Sequence, residues 1–97
     1  MQAQQDQLQA YHVYVSGKVQ GVYYRASTAK KAQLLGLSGW VKNLADGRVE
    51  LFAQGDAESL EKLLNWCKKG PMLAKVSNVE CEVAQLDEKM AQFEVMR

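Results

Sequence analysis

The residues of this chain best suited to chemistry fall in one run, Ser16-Gly17-Lys18-Val19-Gln20-Gly21-Val22-Tyr23-Tyr24-Arg25. An alternating stretch, Tyr11 to Ser16, precedes it and reads as a strand, and Ala26 to Leu35 follows and reads as a helix. Glycines let successive backbone N–H groups turn into a concave nest, and a helix start adds unpaired donors and a partial positive charge. Such a loop suits a compact anion, and Arg25 adds a planar fork matched to phosphate. It is not a Walker loop, because Gly17-Lys18 is followed by Val19 rather than Ser or Thr, and it is not a dinucleotide fingerprint. On the loop alone two readings stand open. One is an anion cradle; the other is a plain strand–turn–helix whose glycines make the turn and whose arginine faces water.

A second residue, Asn43, joins the first through topology. If the strands that end near Lys18 and Asn43 run parallel with one strand between them, their ends share a sheet edge roughly 10 Å apart. An arginine, a phosphate and an asparagine span such a gap. Arginine keeps its proton and so binds charge without acting as a base. Asparagine has no useful pKa, but its amide oxygen accepts a hydrogen bond from water and can hold that water in line for attack. The pair offers no strong base, no nucleophile and no metal ligand. It suits hydrolysis only where the leaving group is good. A carboxylic–phosphoric mixed anhydride qualifies, since its carboxylate leaves unprotonated and positioning and electrostatics carry the phosphoryl transfer.

Other chemically able residues read as structural. His12, the only histidine, lies about eight residues before the loop, about 26 Å at strand spacing, and is expected to be a half-exposed sheet residue. Lys18 and Lys42 read as solvated, Trp40 and Trp66 as packing residues, and Tyr23 and Tyr24 as lining the mouth or packing on the sheet rim.

The elements that must position these groups follow from periodicity. The first strand, about Tyr11 to Val19, sends Val13, Val15 and Val19 to one face. The helix from about Ala26 has a narrow stripe of Ala29, Ala32 and Leu35, and Gly36 can end it in the left-handed conformation. A second strand, about Gly39 to Leu44, meets a third, about Arg48 to Gln54, through Ala45-Asp46-Gly47, a hairpin signal. The third strand is expected to bury Val49, Leu51 and Ala53 and to expose Glu50, Phe52 and Gln54. Asp56 caps a second helix with a stripe of Leu60, Leu63, Leu64 and Cys67, stopped by Gly70-Pro71. A fourth strand, about Val76 to Val83, is expected to bury Val79, Cys81 and Val83, and a short strand, Phe93 to Met96, closes the chain. The order predicts an α+β ferredoxin-like split β-α-β sandwich: a four-stranded antiparallel sheet, two helices on one face and a short C-terminal strand.

The whole chain bounds the function further. Its 97 residues make one domain with a modest core, with residues 1–9, glutamine-rich and without periodicity, expected to be a flexible N-terminal segment before a domain over 10–97. Twelve basic and eleven acidic residues leave a formal charge of +1, which argues against a binder that neutralises many phosphates of nucleic acid. Two cysteines outside any CxxC motif read as reduced core thiols. No run is long enough to cross a membrane and no signal peptide is evident, so a cytoplasmic monomer with no membrane or nucleic-acid partner and no cofactor is expected.

At this point the sequence resembles the acylphosphatase family. The family's first signature, glycine-x-valine-glutamine-glycine-valine-x-tyrosine/phenylalanine-arginine, is met by Gly17, Val19, Gln20, Gly21, Val22, Tyr24 and Arg25, and its second by Gly39-Trp40-Val41-Lys42-Asn43, Gly47, Val49 and Gly55. The resemblance covers about residues 11–97. It implies a ferredoxin-like hydrolase that cleaves acyl phosphates to carboxylate and inorganic phosphate without a metal or a phosphoenzyme. It also implies roles: Arg25 and the amides of Gln20, Gly21, Val22, Tyr23 and Tyr24 hold the phosphoryl group, and Asn43 orients the water. Two other readings share parts of the pattern. A module could hold phosphate-bearing ligands without turnover, and a single-stranded RNA binder could use Tyr14 and Phe52 on the open sheet face, although the aromatic-rich basic signature is missing.

Overall fold

A computed structural model describes residues 8–97, in the order β1 (Leu8–Lys18), α1 (Tyr24–Leu34), β2 (Ser38–Asn43), β3 (Val49–Asp56), α2 (Ala57–Cys67), β4 (Lys75–Ala84) and β5 (Phe93–Val95). Within the expected flexible segment 1–9, Leu8 and Gln9 belong to β1 and pair with Asp56 and Gly55, while residues 1–7 lie outside the described residues. The strands form one sheet in the order β4-β1-β3-β2-β5. The first four pair antiparallel and β5 lies parallel to β2, which gives the expected ferredoxin-like α+β fold with its closing strand.

One register relation matters most for function. Val49 of β3 pairs with Val15 of β1 on one side and with Asn43 of β2 on the other. β1 and β2 therefore point the same way with β3 between them, and the loop leaving β1 rises beside the end of β2. The hairpin that turns β2 into β3 closes through Leu44 N–H to Arg48 C=O at 2.8 Å.

Strand alternation builds the core. Val13, Val15, Val41, Val49, Leu51 and Ala53 face the helices and are fully buried against Leu60, Leu63 and Cys67 of α2 and Ala29 and Ala32 of α1. Each fully buried aliphatic side chain contributes about 1.5–3 kcal/mol. α1 begins at Tyr24, two residues ahead of the expected Ala26, because Tyr24 and Thr28 extend its buried stripe by one turn. Burial pushes the Cys67 thiol up to about 12, so it stays a neutral packing group.

Two expectations fail, each for want of information about what covers a face. On β4, Val79 is half-buried, Cys81 is exposed and Val83 is 83% exposed. β4 is an edge strand, and α2 packs over β3 and β1, leaving that end of the edge uncovered. On β3, Phe52 and Gln54 were expected outside, yet both are buried. The rings of His12 and Trp40 lie 5.7 Å and 6.4 Å from the Phe52 ring. Gln54 accepts from Asp87 N–H at 2.7 Å and donates to Asp87 C=O at 2.8 Å, which folds the segment after β4 across it.

Candidate active site

The loop after β1 takes a shape few residues accept. Gly21 has φ 77°, and Tyr23, the residue preceding α1, sits at φ 66° and ψ 21°. A left-handed conformation costs a non-glycine residue about 1–2 kcal/mol, so Tyr23 stays there only because its neighbours fix the chain. Val22 and Tyr24 on either side are buried, and the Tyr24 hydroxyl donates to Cys67 C=O at 2.7 Å. That burial also drives the Tyr24 pKa well above the usual phenol value. Tyr23 itself is 77% exposed.

The consequence is a set of free donors. Among the described residues, the amides of 20–23 donate to no backbone or side-chain acceptor. No side chain caps α1, and no acid lies in its first turn. An unpaired run of amides leading into an uncapped helix start concentrates positive potential.

Gln20 has a second task that the sequence did not reveal. Its side-chain amide donates to Leu44 C=O at 2.8 Å and to Arg48 C=O at 2.9 Å, the two carbonyls that flank the β2–β3 hairpin. The glycine loop is thereby tied to the turn directly after Asn43.

Arg25, in the first turn of α1, is aimed by the C-terminal strand. Its Nη1 donates to Met96 C=O at 3.0 Å, and Met96 N–H donates to Val41 C=O at 2.8 Å. Asn43 ends β2. Its Oδ1 is the single buried side-chain polar atom among the described residues that lacks a hydrogen-bond partner. An orphaned buried acceptor costs about 1–3 kcal/mol, so its persistence needs a reason.

These groups meet in one cavity of about 330 Å³, whose walls include Gly21, Tyr23, Tyr24, Arg25, Asn43 and, from β5, Val95. Of the expected site residues, Gln20 and Val22 do not line it: Gln20 is turned to the hairpin and Val22 is in the core. A larger hollow of about 750 Å³ is walled by Trp40, Lys42, Met90 and Met96. Neither the glycine loop nor the start of α1 opens on it, so its size does not make it the better candidate. His12 lies outside both cavities, with Nε2 3.2 Å from Glu50 Oε2. Lys42 reaches the same Glu50 at 3.8 Å.

What sequence reasoning missed is the share of the C-terminal strand. A backbone carbonyl that orients an arginine has no signature in residue types, and the parallel pairing of β5 with β2 could not be read from a three-residue strand. The assembled cavity offers a fixed guanidinium, a nest of amides and a neutral acceptor.

A sequence profile of the family described as Acylphosphatase matches residues 11–95. The chain is 55% identical over 86 residues to an acylphosphatase of Methylococcus capsulatus, covering 89% of this chain and 94% of that protein. It is 51% identical to one of Marinobacter nauticus, covering 86% and 90%. Among solved structures, an acylphosphatase from Coxiella burnetii superposes with a TM-score of 0.90 at 45% identity over 99% of this chain and 100% of that one. One from Bacillus subtilis does so at 0.87 and 33%, over 93% and 99%.

Proposed function

This chain belongs to the acylphosphatase family and hydrolyses acyl phosphates, and we propose that it does so through the groups gathered in the 330 Å³ cavity. The Arg25 guanidinium and the loop amides from Gln20 to Tyr24 bind the phosphoryl oxygens, and Asn43 Oδ1 accepts a hydrogen bond from the attacking water. That water adds to phosphorus in line with the acyl oxygen. The phosphorus–oxygen bond to the acyl group breaks, a carboxylate leaves, and the water's proton passes to a phosphate oxygen. The protein supplies position and charge and is asked for no proton of its own.

One observation carries this assignment: Asn43, whose Oδ1 is buried and has no protein partner, lines the same cavity as Arg25 and the uncapped start of α1. An acceptor held without a protein donor is what orienting a water requires. The chain acts in this reading as a cytoplasmic monomer, the unpaired Cys67 and Cys81 being consistent with a reducing compartment. Nucleic acid has no part in it, since Phe52 is buried and Glu50 sits between His12 and Lys42 on the open face.

The test is an assay of benzoyl phosphate hydrolysis with inorganic phosphate as competitor. The expected result is rapid phosphate release, inhibited competitively by phosphate. Phosphate binding without release above background would instead make the cradle a binding module.

A further inference from the structure

Acids and bases are unevenly distributed along this chain. No Asp or Glu occurs between Asp6 and Asp46, a stretch holding Lys18, Arg25, Lys30, Lys31 and Lys42, and none occurs between Glu61 and Glu80, a stretch holding Lys62, Lys68, Lys69 and Lys75. The fold brings the two stretches together. α1 packs against α2, and Lys30, Lys31 and Leu34 of α1 line a shallow hollow with Trp66 and Pro71 at the end of α2. Among the described residues no carboxylate forms an ion pair with Lys30, Lys31, Lys68, Lys69 or Lys75.

The same surface carries large apolar side chains left in water. Leu34 is 76% exposed, Met72 96% and Leu73 61%. Gly70 has φ 71°, and Ala74 N–H donates to Pro71 C=O at 3.0 Å, so a tight turn presents Met72 and Leu73 at its tip. Lysines 68, 69 and 75 flank that tip in the sequence and are all exposed. Large apolar groups held out in water within a cationic frame mark an interaction surface.

We propose that the 68–75 turn and the adjoining face of α1 dock on an anionic lipid surface. The form of the patch decides the occupant. Met72 projects almost free of neighbours, so a protein partner would need a matching pocket, whereas the headgroup boundary of a bilayer admits a protruding Met and Leu without shape complementarity. The uncompensated lysines then lie against anionic headgroups. This surface contact is separate from spanning a bilayer, and it proposes a membrane partner where the sequence reading expected none. The patch borders the phosphate cavity: Ser27 lines the hollow while its neighbour Ala26 lines the cavity. The proposal does not depend on the hydrolytic mechanism.

The experiment is co-sedimentation of the full chain with vesicles of phosphatidylcholine, alone or mixed with phosphatidylglycerol, at low and high salt. The wild-type chain is expected to pellet with the mixed vesicles at low salt and to stay in solution with phosphatidylcholine alone. Replacing Met72→Ser with Leu73→Ser leaves every lysine in place and is expected to reduce the bound fraction by about tenfold or more, with benzoyl phosphate hydrolysis in solution unchanged. Lys68→Gln with Lys69→Gln is expected to remove the preference for the anionic vesicles. A wild-type chain that stays in solution with mixed vesicles at low salt overturns the proposal. So does equal pelleting of the Met72/Leu73 variant, and so does binding of soluble poly-glutamate without vesicle binding, which would assign the patch to an acidic protein.

Discussion

The two helices lie side by side on one face of the sheet, yet they begin in opposite ways. α2 starts at Asp56, whose carboxylate accepts from the amides of Glu58 at 3.0 Å and Ser59 at 3.3 Å, with Glu58 adding negative charge in the first turn. α1 starts at Tyr23, left-handed, with no side-chain cap and no acid nearby. A cap is worth about 1 kcal/mol, and the Tyr23 conformation costs a similar amount. The fold thus stabilises the start of the helix that only packs and leaves open the start of the helix proposed to receive the phosphate. A cap on α1 would occupy the donors that the proposed mechanism gives to the substrate.

That contrast can be broken at several points. The largest effect is expected at Arg25: Arg25→Ala should lower kcat/KM for benzoyl phosphate by about a thousandfold or more and weaken inhibition by phosphate, because it removes the one fixed positive charge of the cavity. Asn43→Ala should reduce kcat by about a hundredfold or more while leaving the phosphate inhibition constant within about twofold, a split that steady-state kinetics read directly. Unchanged kcat would end the water-orienting role. Giving α1 the kind of cap that α2 has, by Tyr23→Asp, should weaken phosphate binding by about tenfold, measured by calorimetry, since a carboxylate would then compete for the helix-start amides. The converse change, Asp56→Ala, should cost about 1 kcal/mol and lower Tm by about 4–8 °C with kcat/KM unaltered. Smallest of all, His12→Ala should leave activity and its pH profile as they are, because His12 borders neither cavity.

The sequence made one end of the α1 story legible and hid the other. Gly17, Gly21 and Arg25 offered a loop that could cradle an anion or merely turn the chain, and Asp46-Gly47 announced the hairpin that brings Asn43 to the same edge. Alternation in β1 and β3 correctly named Val13, Val15, Val49, Leu51 and Ala53 as core. The same alternation failed at Cys81 and Val83 because period two tells which way a side chain points and not whether a helix reaches far enough to cover it. It failed at Phe52 and Gln54 because the opposite face is closed by groups far away in sequence, 33 residues on in the case of Asp87. The roles of the Gln20 amide and the Met96 carbonyl were illegible for a related reason. Both act through backbone oxygens, which every residue possesses.

The Arg25–Met96 hydrogen bond joins groups 71 residues apart in the chain. During synthesis the glycine loop and the start of α1 leave the ribosome long before the carbonyl that steers the guanidinium. The aim of the Arg25 guanidinium therefore depends on the far end of the chain being seated, with β5 paired beside β2.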